Sequence, residues 1–190
     1  MQIKDILPEV FDLMEEISEV PSESVVLTGY QEIDLLAGGL KPGELILILT
    51  GEEELSRAFA QNIIINQDQD QLDHSILVFS PEISKEQYTM QLLSIKSQVN
   101  YSTISLANPS WKQSDWDNIA MATDDLSKAN IQIIDQRSIT VEQLQTQIEK
   151  ANKKEPLNLI VIDNIESVLV ETGDSEYAAF KSKCTESGEF

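Results

Sequence analysis

One segment, from Leu45 to Asn66, constrains the fold of this chain more than any other. It reads LILILTGEEELSRAFAQNIIIN. An apolar run over Leu45–Leu49 is followed by a turn at Thr50–Gly51 and then by apolar residues at helical spacing. Five consecutive apolar residues predict a strand that is buried on both faces, as in a parallel sheet. We therefore expect an α/β fold in which Leu45–Leu49 is a strand of the sheet.

The loop between this strand and helix has the layout of a phosphate-binding loop without its residues. In that motif the last Gly, the Lys and the Ser/Thr would fall at Leu55, Ser56 and Arg57. The unpaired N–H groups of a helix start attract phosphate, but Glu52–Glu54 place the protein's own negative charge there and repel a triphosphate. Thr50–Gly51 and the three replaced positions are therefore either a degenerate nucleotide site or an ordinary acidic helix start.

The remainder of the chain alternates between apolar runs and helical patterns. Strands are predicted at Ser75–Ser80, Ile131–Asp135 and Leu157–Asp163. Capping boxes predict the starts of two helices, at Ser84 with Gln87 and at Thr140 with Gln143. Strands that alternate with helices favour right-handed crossovers, and hence a mostly parallel sheet flanked by helices.

The first twenty residues predict an amphipathic helix that is separate from the domain. The apolar residues recur at spacings of three and four; they are Ile3, Ile6, Leu7, Val10, Leu13, Met14 and Ile17. Pro8 predicts that the helix begins near Leu7, and Val20–Ser24 reads as a linker. We expect three parts: a helix over 1–20, a domain over 21–170, and an acidic, partly frayed tail over 171–190. The pattern alone leaves open whether the helix packs on its own domain or on a neighbour.

Composition limits the classes of function. The chain has 33 acidic and 13 basic residues, a net charge of −20, which opposes unaided binding of DNA. The single cysteine, Cys184, excludes an intrachain disulfide, and no Cys/His cluster has metal-ligand spacing, so no metal site is expected. His74 is predicted to lie in a surface loop. No membrane span or signal peptide is recognisable, and a cytoplasmic location is expected.

Two acids follow predicted strands, where parallel sheets place functional groups. Asp163 ends the run Leu157–Asp163, the position from which a carboxylate holds magnesium through water in enzymes with a phosphate-binding loop. Glu82 follows Ser75–Ser80 and is placed to orient an attacking water. Each residue alone is also consistent with an ordinary acid at the end of a strand, which is a frequent arrangement.

Together these segments resemble the ATPase domain of DnaB-type replicative helicases. The resemblance is carried by TGYQEIDLLAGGLKPGELILI, VFSPEISKEQYTMQLLS, SDWDNIAMATDDLSKANIQIIDQRSITVEQLQTQIEK and LNLIVIDNIES, and covers about residues 1–170. It implies a RecA-like P-loop NTPase fold, incomplete at its C-terminus because one central strand would be missing. Either the sheet closes up over the gap, or the strand comes from elsewhere, or the fold is incomplete. It further implies that Glu82 stands at the catalytic glutamate and Asp163 at the Walker B aspartate. The Walker A positions depart from the family, and Asn164 stands where the family has an aromatic residue.

The resemblance implies that the helix containing residues 3–17 docks on a protein partner, either a replicative helicase subunit or a second copy. Three hypotheses follow. The chain is a DnaB-like protein without ATP hydrolysis that acts by protein interaction, with Glu82 and Asp163 vestigial and no cofactor. Alternatively, it is a helicase variant that binds ATP and magnesium through Arg57. The third possibility is a truncated remnant that folds poorly alone.

Overall fold

The computed structural model describes residues 3–19, 25–67, 74–106 and 111–169. In chain order these residues form α1 (Ile3–Glu19), α2 (Gln31–Ala37), α3 (Glu53–Asn66), β1 (Ile76–Phe79), α4 (Lys85–Ser97), α5 (Tyr101–Ser105), α6 (Gln113–Lys128), β2 (Ile131–Ile134), β3 (Ile139–Thr140), α7 (Val141–Lys154), β4 (Leu159–Ile162), a 3-10 turn (Ile165–Ser167) and β5 (Val168–Leu169).

Three of the four predicted strands form a parallel sheet in the order β2-β1-β4. Ile76 is level with Ile131 on one side and with Leu159 on the other, so the three strands end together. The central strand β1 is apolar throughout and buried at every residue, as expected for a strand covered on both faces. The three predictions of these strands are confirmed.

Helices cover both faces of the sheet. On one face, Ile64 and Ile65 of α3 pack with Tyr88 and Leu92 of α4 over β1, and α6 lies beside α4. On the other face, α7 packs its apolar side against Leu77 and Phe79. The capping boxes of α4 and α7 are both present as predicted. This is an α/β architecture with a sheet between two helical layers.

The prediction that Leu45–Leu49 is a strand of the sheet is wrong. This run belongs to neither sheet, and most of its side chains are exposed. The physical reason is that a strand needs a hydrogen-bonded neighbour, and no described strand pairs with this run. The small parallel pair of β3 with β5 was not predicted.

Two further predictions are corrected. Helix α1 begins at Ile3 and continues through Pro8. Because proline has no backbone N–H, the helix lacks the hydrogen bond that residue 8 would donate to the carbonyl of Lys4. His74 is buried rather than in a surface loop, and its Nδ1 lies 3.0 Å from the side-chain oxygen of Gln67. The predicted linker Val20–Ser24, the acidic tail and Cys184 lie outside the described residues.

Candidate functional site

The two predicted acids meet at the carboxyl end of the sheet. Glu82 lies three residues beyond β1, and Asp163 directly follows β4. Because Phe79 is level with Ile162, both acids emerge at the same edge. The backbone N–H of Asp163 donates to the Phe79 carbonyl over 2.8 Å, which extends the pairing past the end of β4. The sheet therefore brings together two carboxylates that are 81 residues apart in sequence.

Arg57, in the first turns of α3, joins these two acids. Its Nε donates to Asp163 Oδ2 over 2.7 Å, and its Nη2 donates to Glu82 Oε2 over 3.1 Å. The side chains of Arg57 and Asp163 are only 12% and 6% exposed, whereas that of Glu82 is a third exposed. One guanidinium thus occupies the space between both carboxylates and neutralises part of their charge. Hydrogen bonds of this charged kind are stronger than neutral ones.

Burial has the largest effect on the pKa values of Asp163 and Tyr88 in this site. It raises the pKa of the Asp163 carboxyl above its usual value, although the hydrogen bond and charge of Arg57 act in the opposite direction. Burial also raises the pKa of the Tyr88 hydroxyl well above its usual range, and the charge of Asp163 adds to that rise. Arg57 is thus the main group that offsets the desolvation of the Asp163 carboxylate.

The second oxygen of Glu82 is held by two residues that sequence reasoning did not assign. Asn164 Nδ2 and Ser167 Oγ both donate to Glu82 Oε1, the latter over 3.2 Å. Asn164 has a positive φ of 74°, a left-handed conformation that asparagine tolerates better than most residues. The departure of Asn164 from the family pattern could have identified it as a site residue, whereas nothing in the sequence singled out Ser167.

We expect Asn164→Ala to lower the free energy of unfolding by about 1.5 kcal/mol, because it removes a bond to a carboxylate and leaves a less tolerant residue in the left-handed region. Asn164→Gly loses the same bond but adopts this φ without strain, so we expect a smaller loss of about 1 kcal/mol. Urea unfolding of both variants measures the difference. An equal or larger loss for the glycine variant would contradict the assigned backbone contribution.

The loop before α3 lacks the lysine and the last glycine of a phosphate-binding loop. The Thr50 hydroxyl donates to the carbonyl of Glu52, and Leu55 is exposed. Gly51 has no positive φ, and a Cβ added there would meet nothing within 4 Å. Neither the backbone conformation of residue 51 nor a neighbouring protein atom therefore requires a glycine at this position. Ser56 lies in the first turn of α3, next to Arg57.

The chemistry of these residues departs from that of a magnesium–triphosphate site. The loop offers no lysine for the outer phosphates, and Glu52 and Glu54 are exposed at the start of α3. The two carboxylates that such a metal would use are already bonded to Arg57. Over residues 3–19, 25–67, 74–106 and 111–169, no group of three or more His, Cys, Asp or Glu side chains is arranged to hold a metal ion. No helix in the same residues has the length and apolar character needed to cross a membrane.

Comparison with known proteins decides the family. The sequence profile of the DnaB-like helicase C terminal domain matches residues 25–183. The chain belongs to this family. The match includes Arg57, Glu82 and Asp163, so the site described above lies within a DnaB-like domain. The resemblance stated from the sequence is confirmed.

Curated relatives are replicative helicases. The chain is 27% identical over 167 residues to the Replicative DNA helicase DnaC of Bacillus subtilis, and 29% identical over 167 residues to the Replicative DNA helicase DnaB of Geobacillus stearothermophilus. Each match covers 87% of this chain and 36% of the relative. The DnaB-like chain therefore spans little more than a third of these proteins.

Solved structures confirm the RecA-like fold. A DnaB-like replicative helicase, described with its interactions with primase, matches 99% of this chain and 45% of its own with a TM-score of 0.79 and 22% identity. A second solved structure, described as an ATPase domain, matches 95% of this chain and 64% of its own with a TM-score of 0.77 and 22% identity. The roles of Thr50, Gly51, Leu55, Ser56, Arg57, Glu82 and Asp163 remain predictions.

Proposed function

We propose that this DnaB-like domain does not hydrolyse ATP and acts by binding other proteins of DNA replication. The partner proposed is a replicative helicase ring, the class of protein from which its relatives come. The action is proposed to take place in the cytoplasm, and neither a cofactor nor unaided DNA binding forms part of it. This assigns the chain a role as a modulator of a helicase ring.

The bond of Arg57 to both carboxylates is the observation that carries this proposal. A guanidinium cannot give up its charge in a protein, and it fills the space between Asp163 and Glu82. With Arg57 present, both oxygens of Glu82 already accept hydrogen bonds. A water would have to compete with these donors for Glu82 to orient it for attack on a phosphate. The site is therefore built as an internal ion pair.

The second candidate is a helicase variant in which Arg57 binds the phosphates of ATP. That function requires Arg57 to leave Asp163 and Glu82, and so to leave a buried carboxylate without its cation. It also requires a triphosphate to approach the acidic residues that start α3. No contact of the described residues favours this rearrangement.

The interaction role is supported by α1. Five of its large apolar residues are exposed: Ile3, Leu7, Val10, Phe11 and Met14. A row of apolar side chains on one amphipathic helix is suited to a groove on another protein. The net charge of −20 repels DNA phosphates, so proteins are better candidates than DNA as partners.

The loss of hydrolysis is tested with ATP and magnesium. A ligand that binds only the folded state adds about 2.7 kcal/mol to the free energy of unfolding at one hundred times its dissociation constant. We expect millimolar ATP with magnesium to leave the thermal midpoint unchanged and phosphate release to stay at background. Magnesium-dependent hydrolysis that Glu82→Gln abolishes would overturn the proposal.

Binding to a ring is tested with the replicative helicase of the same organism. We expect the two proteins to co-elute in size-exclusion chromatography. The double variant Leu7→Glu with Phe11→Glu should weaken the complex at least about 30-fold, as the loss of interface hot spots does. Leu106→Glu is the matched control, because Leu106 is similarly exposed but lies after α5. Equal weakening in both variants, or no complex with the parent protein, would contradict the role assigned to α1.

A further inference from the structure

Two stacked tryptophans lie at the start of α6. The ring centroids of Trp111 and Trp116 are 4.3 Å apart, and their planes are inclined by only 20°. Trp111 directly precedes the N-cap residue Lys112, and Trp116 is the fourth residue of the helix. Apolar side chains at these two positions commonly pack against each other and fix the direction in which the chain enters a helix. The local sequence therefore explains why the two rings meet.

The stacking leaves the outer face of the Trp116 indole in solvent. Trp111 covers one face of this indole, yet Trp116 is 54% exposed, so the exposed area lies on the other face and the ring edges. Two aliphatic side chains would fix the start of the helix equally well. Helix entry therefore does not explain a large aromatic surface in water. Tryptophan is enriched at the centres of protein interfaces, where its burial contributes strongly to binding.

A carboxylate is held beside this indole. Asp117 is exposed, and its Oδ1 accepts a hydrogen bond of 2.9 Å from Gln113 Nε2. Gln113 is three residues before Trp116, and helical side chains lean toward the N-terminus, so the carboxylate and the indole are directed toward the same turn. Residues 112–117 carry two aspartates and one lysine, a net charge of −1. The surface around the indole is therefore aromatic and weakly acidic.

A flat aromatic face beside a carboxylate has the chemistry that recognises a guanidinium group. Guanidinium is planar, stacks on indole rings and donates N–H groups sideways to carboxylates. Enclosing an ammonium group requires aromatic walls set at an angle to each other, whereas these two rings are nearly parallel. A nucleobase also stacks on indole, but its phosphates are repelled by the aspartates and by the net charge of −20.

We propose that Trp116 and Asp117 bind an arginine side chain of another protein, with the guanidinium stacked on the outer face of the indole and donating to the Asp117 carboxylate. A second copy of this chain is poorly suited as the partner. Its sequence contains two arginines, and one of them, Arg57, is bonded to Asp163 and Glu82. The net charge of −20 also opposes self-association. The occupant is therefore an arginine-bearing segment of a different protein.

The surface formed by Trp116 and Asp117 does not depend on the role proposed for α1. Loss of the arginine contact would leave the binding of a helicase ring through Leu7 and Phe11 untouched. Conversely, a chain that binds no ring would still present the indole and its carboxylate. Variants of α1 and variants of Trp116 therefore distinguish the two proposals.

The test uses nuclear magnetic resonance of the full chain, which contains two tryptophans and hence two indole N–H groups. Trp111→Phe assigns the two signals. In low salt, the peptide GSRGRSG should shift the Trp116 indole signal with a dissociation constant on the order of 1 mM. Two control peptides replace both arginines: lysine keeps the charge without the plane, and citrulline keeps the plane without the charge. Each control should bind about three- to fivefold more weakly, as expected for a solvent-exposed pair of a cation and an aromatic ring.

Protein variants locate the binding through the backbone amide signals of residues 112–117. Trp116→Leu keeps an apolar contact for Trp111 but removes the aromatic face, and it should weaken GSRGRSG binding about three- to fivefold. Asp117→Asn should weaken it about threefold in low salt and have little effect in high salt. Met121→Leu is the matched control, because Met121 is 62% exposed on the same helix, and it should leave the affinity unchanged. If Trp116→Leu does not melt cooperatively, Asp117→Asn and the three peptides decide the result.

Four results would overturn the proposal. The first is no shift of the Trp116 signal at about 10 mM GSRGRSG. The second is equal binding of the arginine and lysine peptides, because charge alone would then explain the affinity. The third is tighter binding of a ten-nucleotide thymidine strand than of the arginine peptide, because a base would then be the occupant. The fourth is a dimer of the parent chain that shields Trp116 and that Arg137→Gln separates, because a second copy would then supply the arginine.

Discussion

Replacing Arg57 by alanine should lower the free energy of unfolding by about 3 kcal/mol, because it leaves the buried carboxylate of Asp163 without its cation. Arg57 and Asp163 form their 2.7 Å contact in a largely buried place, so water replaces the lost charge poorly. Chemical denaturation at neutral pH measures the change. The matched control is Lys128→Ala, which breaks a 2.6 Å pair with Asp124 whose side chains are both 67% exposed. We expect the control to cost at most about 0.5 kcal/mol.

The pH dependence of this loss gives an independent check. Asp163 already has a raised pKa in the folded protein, and removal of Arg57 raises it further. A protein loses stability with rising pH when one of its acids has a higher pKa in the folded state than in the unfolded state. The loss develops as the pH rises from the unfolded-state pKa through the folded-state pKa. The deficit of Arg57→Ala should therefore grow with rising pH, and Asp163→Asn in the same chain should remove much of it. A deficit that does not change with pH, or that equals the loss in Lys128→Ala, would contradict the assigned ion pair.

The parts of this fold that were predictable from sequence are those that depend on local pattern. The apolar runs of β1, β2 and β4 and the capping boxes at Ser84 and Thr140 each lie within a few residues, and each was found. Residues 45–49 have an equally clear apolar run and still form no strand. Strand formation there depends on a hydrogen-bonded neighbour from another part of the structure, and pattern within one segment contains no information about that neighbour.

The candidate site was predictable in part for the same reason. Glu82 and Asp163 were found because strand ends in a parallel sheet meet at one edge. Arg57 was found only as a replaced Walker A position, and the sequence indicated phosphates as its target. Its actual partners lie 25 and 106 residues away and are specified by the packing of α3 on the sheet. The hydrogen bonds of Asn164 and Ser167 to Glu82 depend on the same packing.

The second large effect is expected at Gly29, in the turn that ties residues 25–44 to the C-terminal end of α3. Its φ is +79°, and a Cβ added there would lie 2.3 Å from Asn66 Nδ2. That amide nitrogen donates to the Thr28 carbonyl over 2.8 Å. Gly29→Ala should therefore incur both the strain of a left-handed alanine and the displacement of Asn66, and we expect a loss of about 2.5 kcal/mol in the free energy of unfolding.

Gly43 offers a matched control for the backbone part of this effect. Its φ is +76°, and an added Cβ would meet nothing within 4 Å, so Gly43→Ala should cost only about 1 kcal/mol. A cycle with Asn66→Ala isolates the clash, because the double variant should cost less than the sum of the two single variants by about 1 kcal/mol or more. Thermal or urea unfolding of the four proteins gives these values. Equal losses for Gly29→Ala and Gly43→Ala, or full additivity in the cycle, would mean that Asn66 does not hold this turn.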